Sequence, residues 1–171
     1  MPHSQKDALK EKAAKIKFIL LDVDGTLTDG QLIYGPNGES YKSFNVKDGL
    51  GIYLVQKDGI PVGLISGRRS QIVEDRAKEL NIKHVWQCIK DKGAFFKKIL
   101  EQFGLKPEEV AFMGDDLNDL SLLREVGFSA ATGDAVQEVR AAVDFVANRD
   151  GGKGAVREVL DFILAEKVKG V

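Results

Sequence analysis

The sequence predicts an α/β protein: a doubly wound, mostly parallel sheet of Rossmann-like architecture, with a β-hairpin inserted after the first strand. Three observations carry this. Short apolar runs alternate with amphipathic segments of helical period, the pattern of strands joined by helical crossovers. The run from Lys17 to Val23 is almost continuously apolar and ends at an acidic turn, as expected of a central strand buried on both faces. Gly35-Pro36-Asn37-Gly38 separates two β-prone stretches, and that turn chemistry suits a hairpin.

The elements follow in order. A second strand covers Ile60 to Ile65, and a helix runs from Ser70 to Leu80 with Ser70 placed as its N-cap. A short third strand at His84 to Trp86 leads to a helix over Asp91 to Phe103, which Gly104 is placed to cap. Val110 to Met113 forms the fourth strand, followed by a helix over Leu117 to Val126. Strand-like segments at Gly127 to Ala131 and Ala142 to Val146 precede a closing helix from Lys153 to Glu166. The hairpin lies between Asp29 and Asp48, at the carboxyl end of the sheet, where open α/β folds bind ligands. Residues 1–15 read as a polar helical extension and residues 16–171 as one domain, undivided by repeat or linker.

Composition narrows the function. The 171 residues are 43% hydrophobic and 30% charged, which suits a folded single core. Lys+Arg number 25 against Asp+Glu 26, so the net charge of −1 makes no case for nucleic acid or an anionic membrane. The one cysteine, Cys88, has only His3 and His84 as possible catalytic partners and reads as a packing residue in a reducing, cytoplasmic setting. No apolar run reaches the length of a membrane span, and the Lys-rich start lacks the apolar core of a signal peptide.

The acidic residues gather just after strands. Asp22 and Asp24 end the first strand on the same side; Asp115 and Asp116 follow the fourth, with Asp119 close behind. Neighbouring parallel strands lie about 5 Å apart, so these groups can converge on one cation. Clustered carboxylates raise one another's pKa unless a cation sits between them, and oxygen-only ligands suit Mg²⁺. Ser66-Gly67-Arg68 after the second strand offers a hydroxyl, a backbone donor and a cation to a phosphate oxygen, and Lys92 after the third strand neutralises another. Taken singly, Gly67 reads as a turn, Lys92 as a solvated helix residue and Asp115-Asp116 as a cap. Together, at four successive strand ends, they provide the positioning and charge neutralisation that phosphoryl transfer needs.

Asp22-Val23-Asp24-Gly25-Thr26, Ser66-Gly67-Arg68, Lys92 and Gly114-Asp115-Asp116-Leu117-Asn118-Asp119, in this order, resemble the four motifs of the haloacid dehalogenase superfamily of phosphatases. The resemblance implies roles. Asp22 attacks phosphorus to form an aspartyl-phosphate; Asp24 protonates the leaving oxygen and then activates water. Asp22, the main-chain carbonyl of Asp24 and Asp115 hold Mg²⁺. Ser66, Gly67 and Lys92 bind the phosphoryl oxygens, while Asp116 and Asp119 orient the site from behind.

The intervals between motifs hold no cap domain, so the expected cover is a neighbouring subunit. A finer resemblance, to the family of 3-deoxy-D-manno-octulosonate 8-phosphate phosphatases, rests on Phe44 to Gly49, Glu74-Asp75-Arg76 and Gly151 to Glu158. It implies a homotetramer, a place in lipopolysaccharide precursor synthesis, and an eight-carbon sugar acid phosphate as substrate. Asn45, Val46, Lys47, Asp48, Gly49, Arg68 and Arg76 become candidates for holding that substrate, together with Asp24. Tyr53 replaces a basic residue often found in that family, and the ending KVKGV suggests a reduced C-terminal tail. Arg68 favours the octulosonate over nine-carbon N-acylneuraminate 9-phosphates, whose phosphatases tend to carry an acidic residue there. A receiver-like signalling domain would place its acidic pair after the first strand, the reverse of the order here. A non-catalytic relative would have lost at least one of Asp22, Asp24, Lys92 and Asp115.

Overall fold

The structure, a computed structural model, describes residues 3–167. Eight strands are formed: β1 (Phe18–Leu21), β2 (Ile33–Gly35), β3 (Gly38–Tyr41), β4 (Val62–Ile65), β5 (His84–Trp86), β6 (Val110–Gly114), β7 (Phe128–Ala131) and β8 (Phe145–Val146). The helices are α1 (His3–Ala14), α2 (Val46–Lys57), α3 (Gln71–Glu79), α4 (Lys92–Phe103), α5 (Leu120–Leu123), α6 (Gln137–Ala142) and α7 (Ala155–Lys167). Six strands make one parallel sheet in the order β5-β4-β1-β6-β7-β8, and β2 and β3 form the antiparallel hairpin. The doubly wound sheet and the inserted hairpin are those the sequence predicts.

Alternation within the strands divides the core. Phe18 and Leu20 of β1, with Phe112 of β6, face Phe96 and Ile99 of α4, Leu122 of α5 and Val139 of α6. Ile19 and Leu21, with Met113, face the other way, onto Ile52 and Val55 of α2, Val73 of α3 and Val156, Val159 and Ile163 of α7. All four β1 residues are buried, which explains an apolar run without polar interruption. Because β1 pairs with both β4 and β6, its acidic end is flanked by the loops that leave those two strands.

Several local structures differ from expectation, among them α6, which takes Ala142 from the strand expected at Ala142 to Val146 and leaves β8 only Phe145–Val146. The helix α2 has no counterpart in the predicted elements, because Gly49 and Gly51 weaken its propensity and its apolar residues surround it on all sides. Both glycines permit close packing: a Cβ at Gly49 would lie 2.7 Å from Arg76 Nη2, and one at Gly51 would lie 2.9 Å from Arg157 Cδ. The expected helix over Leu117 to Val126 is instead a 3-10 turn at Leu117–Asp119 leading into the single turn of α5. It tightens because the Asp119 carboxylate accepts the Asp115 and Asp116 amides, and it ends where Gly127 N–H turns to the carbonyls of Pro107 and Val110. Ser70 occupies the N-cap position of α3 but makes no capping bond; its hydroxyl donates to Glu39 of the hairpin. Elsewhere the caps are as expected, with Asp91 accepting from Ala94 N–H and Gly104 left-handed at φ 61°.

The segment read as a polar extension, α1, places Leu9 and Ala13 in the core beside α7. The end of KVKGV beyond Lys167 lies outside the described residues. Asp48, only 2% exposed, links α2 to α7: its Oδ1 accepts the Arg157 amide at 2.8 Å, in the first turn of α7. We therefore expect Asp48→Ala to lower the unfolding free energy by about 1–2 kcal/mol, the usual range for a lost helix cap. Asp48→Asn, which keeps an acceptor oxygen, should cost less. Urea titration of both variants checks the difference.

Candidate active site

The site forms where the chain leaves β1. The Asp22 amide still donates to Met113 O at 2.9 Å, continuing the β1–β6 ladder by one residue. The chain then turns about Val23, whose carbonyl accepts from Thr26, Leu27 and Thr28 amides. Gly25 is obligatory here. Its φ is +93°, and a Cβ would lie 2.0 Å from Asp115 Oδ2. Thr26 donates its hydroxyl to Asp115 Oδ1 at 3.0 Å, so the first motif holds the last one in place. Gly151 presses on the same turn from outside, where a Cβ would stand 1.8 Å from Gly25 O.

Lys92, at the start of α4, is fully buried and lies 2.5 Å from both Asp22 Oδ1 and Asp119 Oδ1. Burial alone would pull its ammonium pKa down, but the attraction of Asp22 and Asp119 outweighs it and raises the pKa. Asp119 is fully engaged, with Lys92 on one oxygen and the Asp115 and Asp116 amides on the other. Asp116 is exposed and spends one oxygen on the Leu117 amide. Of the two residues read as orienting groups, Asp119 is inside the site and Asp116 at its rim.

The negative charge is in excess. Oxygens of Asp22, Asp115 and Asp119 lie within 4.8 Å of one another, facing one ammonium, which leaves two negative charges without a partner. Burial, and then repulsion from Asp119, push the Asp22 carboxyl well above the usual range even with Lys92 alongside. The same two causes, in the same order, raise Asp115 to about 7. Such a set fits a hard divalent cation: all donors are oxygen, the uncompensated charge is two, and Asp22 and Asp115 are not saturated as Asp119 is. A cation bound by Asp22 and Asp115 would supply charge neutralisation for an incoming phosphate.

The remaining predicted residues fall into two groups. Ser66, 4% exposed, follows β4, and its Oγ accepts the Arg68 amide at 3.2 Å. Gly67 lies between them, and a Cβ there would meet nothing closer than Ile89 O at 3.7 Å, so internal packing does not demand a glycine. Arg68 reaches Tyr34 Oη at 2.8 Å and Asp24 Oδ2 at 3.9 Å. Asp24 thus stands at the open side, between the Ser66 loop and the hairpin. Asn45, Asp48 and Gly49 have structural tasks, and Lys47 is exposed. Asn45 caps α2 by accepting the Lys47 amide and donates its Nδ2 to Gly152 O, while Asp48 and Gly49 serve the packing described above. Val46 is 80% exposed. Arg76 contacts Glu79, Phe44 and Gly49 and none of the Asp22 group.

Sequence reasoning missed Lys42, Glu39 and Tyr34. Lys42 follows β3, and its side chain, 1% exposed, pairs with Asp24 and with Glu39. The only signal was that polar residues interrupt the β-prone arms of the hairpin. Which of them point inward depends on how the hairpin folds back onto the sheet.

A buried carboxylate paired with lysine, beside carboxylates that could hold a divalent cation, at the carboxyl end of a parallel sheet, is an arrangement that suits a phosphoryl-transfer hydrolase. Residues 89–160 match the model of haloacid dehalogenase-like hydrolases. Over 158 residues the chain is 43% identical to the 3-deoxy-D-manno-octulosonate 8-phosphate phosphatase of Escherichia coli (strain K12), covering 92% of this chain and 84% of that one. The Moraxella catarrhalis phosphatase of the same name, solved with magnesium, phosphate and KDO, superposes with TM-score 0.92 at 39% identity, covering 95% of this chain and 94% of that one. The cobalt-bound Haemophilus influenzae deoxy-D-mannose-octulosonate 8-phosphate phosphatase gives TM-score 0.89 at 44% identity, covering 92% of each. The chain belongs to the haloacid dehalogenase-like hydrolases, in the branch formed by these octulosonate-phosphate phosphatases.

The raised carboxyls set the pH dependence of cation binding. Asp115 holds its proton up to about 7 in the metal-free protein, and a cation must displace it. With the folded pKa above the unfolded one, the metal-free protein loses stability as pH rises between the ordinary carboxylate range and about 7. Added Mg²⁺ should therefore raise Tm much more at pH 8 than at pH 5. Thermal unfolding with and without Mg²⁺ at the two pH values tests this, and equal shifts would contradict it.

Proposed function

We propose that this protein hydrolyses 3-deoxy-D-manno-octulosonate 8-phosphate to 3-deoxy-D-manno-octulosonate and phosphate, using Mg²⁺ held by Asp22, Asp115 and the Asp24 main-chain carbonyl. The observation that carries the chemistry is the Lys92–Asp22 pair beside Asp115, a nucleophilic carboxylate fixed next to a divalent cation site. Asp22 attacks phosphorus as the bond to the sugar oxygen breaks, and Asp24 gives that oxygen its proton. Asp24 then takes a proton from the water that cleaves the aspartyl-phosphate. Ser66, the Gly67 backbone and Lys92 bind the phosphoryl oxygens. The substrate reading is supported by the names of the relatives and by Arg68, whose guanidinium at the open side suits a sugar carboxylate. It implies a cytoplasmic role in supplying lipopolysaccharide precursor.

The active form in this reading is a homotetramer in which neighbouring subunits cover each site. Support comes from exposed apolar surface: Leu32, Ile33, Tyr34 and Tyr41 on and beside the hairpin, and Val46, Leu50 and Tyr53 on one face of α2. Exposed apolar residues grouped in this way mark contact surfaces. No helix among the described residues is long and apolar enough to cross a membrane.

Asp22→Ala should abolish turnover and leave the protein folded, and substantial residual activity would remove Asp22 as the nucleophile. Across a panel of sugar phosphates, kcat/KM should be highest for the octulosonate 8-phosphate, whereas a preference for N-acylneuraminate 9-phosphate would overturn the substrate. Sedimentation should find a tetramer; a stable, fully active monomer would refute subunit cover.

A further inference from the structure

Among the described residues, Lys42 brings a cationic side chain, 1% exposed, beside the site, and the proposed reaction leaves it without a task. Its ammonium lies between Asp24 Oδ1 and Glu39 Oε1, with the Glu39 contact at 2.9 Å. A lysine on a hairpin ordinarily extends into water, and burying one costs several kcal/mol unless it is closely paired. Glu39 is itself tethered. Glu39 accepts the Ser70 hydroxyl, the Ser70 amide donates to Gln87 Oε1 at 2.6 Å, and Gln87 Nε2 donates to Glu74 Oε1 at 3.0 Å. The chain of bonds begins at α3 and β5, passes through the loop that carries Ser66 and Arg68, and ends on one oxygen of Asp24.

We propose that Lys42 is a positioning residue, which occupies Asp24 Oδ1 and so presents Oδ2 alone to the leaving-group oxygen. An aspartate side chain free to rotate would offer either oxygen in many orientations, and a misplacement of about 1 Å can cost about 100-fold in rate. With Oδ1 held by the ammonium, Oδ2 is the atom placed to deliver the proton. As the phosphorus–oxygen bond to the sugar breaks and Asp22 bonds to phosphorus, that proton passes to the sugar oxygen. It is regained at the same atom from the water that hydrolyses the aspartyl-phosphate. Arg68 Nε, 3.9 Å from Oδ2, lies close enough to mark the edge from which the substrate enters.

This inference rests on the acid role given to Asp24 above, and the test separates the two. A sugar alkoxide needs a proton to leave, whereas p-nitrophenolate leaves without one. kcat and KM are measured for Lys42→Met on p-nitrophenyl phosphate and on the sugar phosphate hydrolysed fastest in the panel, with Asp24→Asn alongside. The positioning role predicts that kcat for the sugar phosphate falls about 100-fold, with KM changed less than about threefold. The loss on p-nitrophenyl phosphate should be at least tenfold smaller, roughly, because no acid catalysis is at stake there.

Lys42→Met leaves Glu39 buried without its cation, so the double variant Lys42→Met/Glu39→Gln removes that strain while keeping a partner for Ser70. If Lys42 only pins the hairpin, the double variant recovers activity on the sugar phosphate; if it positions Asp24, the selective loss persists. Equal losses on both esters in the Lys42 variants, with a selective loss in Asp24→Asn, would overturn the proposal and leave the acid role standing. A non-selective Asp24→Asn would overturn both.

Discussion

The buried ammonium of Lys92 is the interaction on which the remaining site depends. It is shared between Asp22 and Asp119, and without it the end of β1 would hold three carboxylates in a low-dielectric pocket with no positive charge. Even with Lys92 present, Asp22 and Asp115 stay above their usual pKa range. The fold therefore gathers more carboxyl groups than Lys92 can neutralise, and a divalent cation would relieve that excess. Much of the surrounding architecture keeps those carboxyl groups in place. Thr26 restrains Asp115, two backbone amides restrain Asp119, and Gly25 removes the side chain that would push Asp115 away.

Topology explains why so few elements suffice. The central strand β1 is flanked by β4 and β6, so the groups that leave these three strands meet without long loops. The hairpin then sits over the β1–β4 side and carries a lysine with a buried side chain, Lys42, to Asp24, which the first lysine does not reach. Two ammoniums thus divide two aspartates of a single motif between them. Asp22 is held from the α4 side and Asp24 from the hairpin side.

The order of strands and helices was legible because apolar periodicity and turn residues report directly on burial, and β1 with its acidic end is the clearest case. The convergence of Asp22, Asp115 and Lys92 was legible because each follows a strand, and strand ends in a parallel sheet converge. What stayed hidden depended on tertiary contact. Gly49 and Gly51 obscured α2 by propensity, although both are there for close packing against Arg76 and α7. Asn45 and Asp48 carry residue types suited to binding sugars, yet in the fold they cap α2 and α7. Nothing in the local sequence distinguishes Lys42 from the solvated lysines around it.

The contact between Gly151 and the turn at Gly25 bears on the order of assembly. All four motifs have been synthesised once the chain reaches Asp119, but the turn that follows Asp22 still lacks the backing it receives from the Gly151-Gly152 loop. Asp48 likewise waits for Arg157, a partner 109 residues later in the chain. Pairings of such long sequence separation pay loop-closure entropy before they return any stability and are slow to form. An emerging chain can thus hold all four motifs before the turn at Gly25 has gained the backing of the Gly151-Gly152 loop.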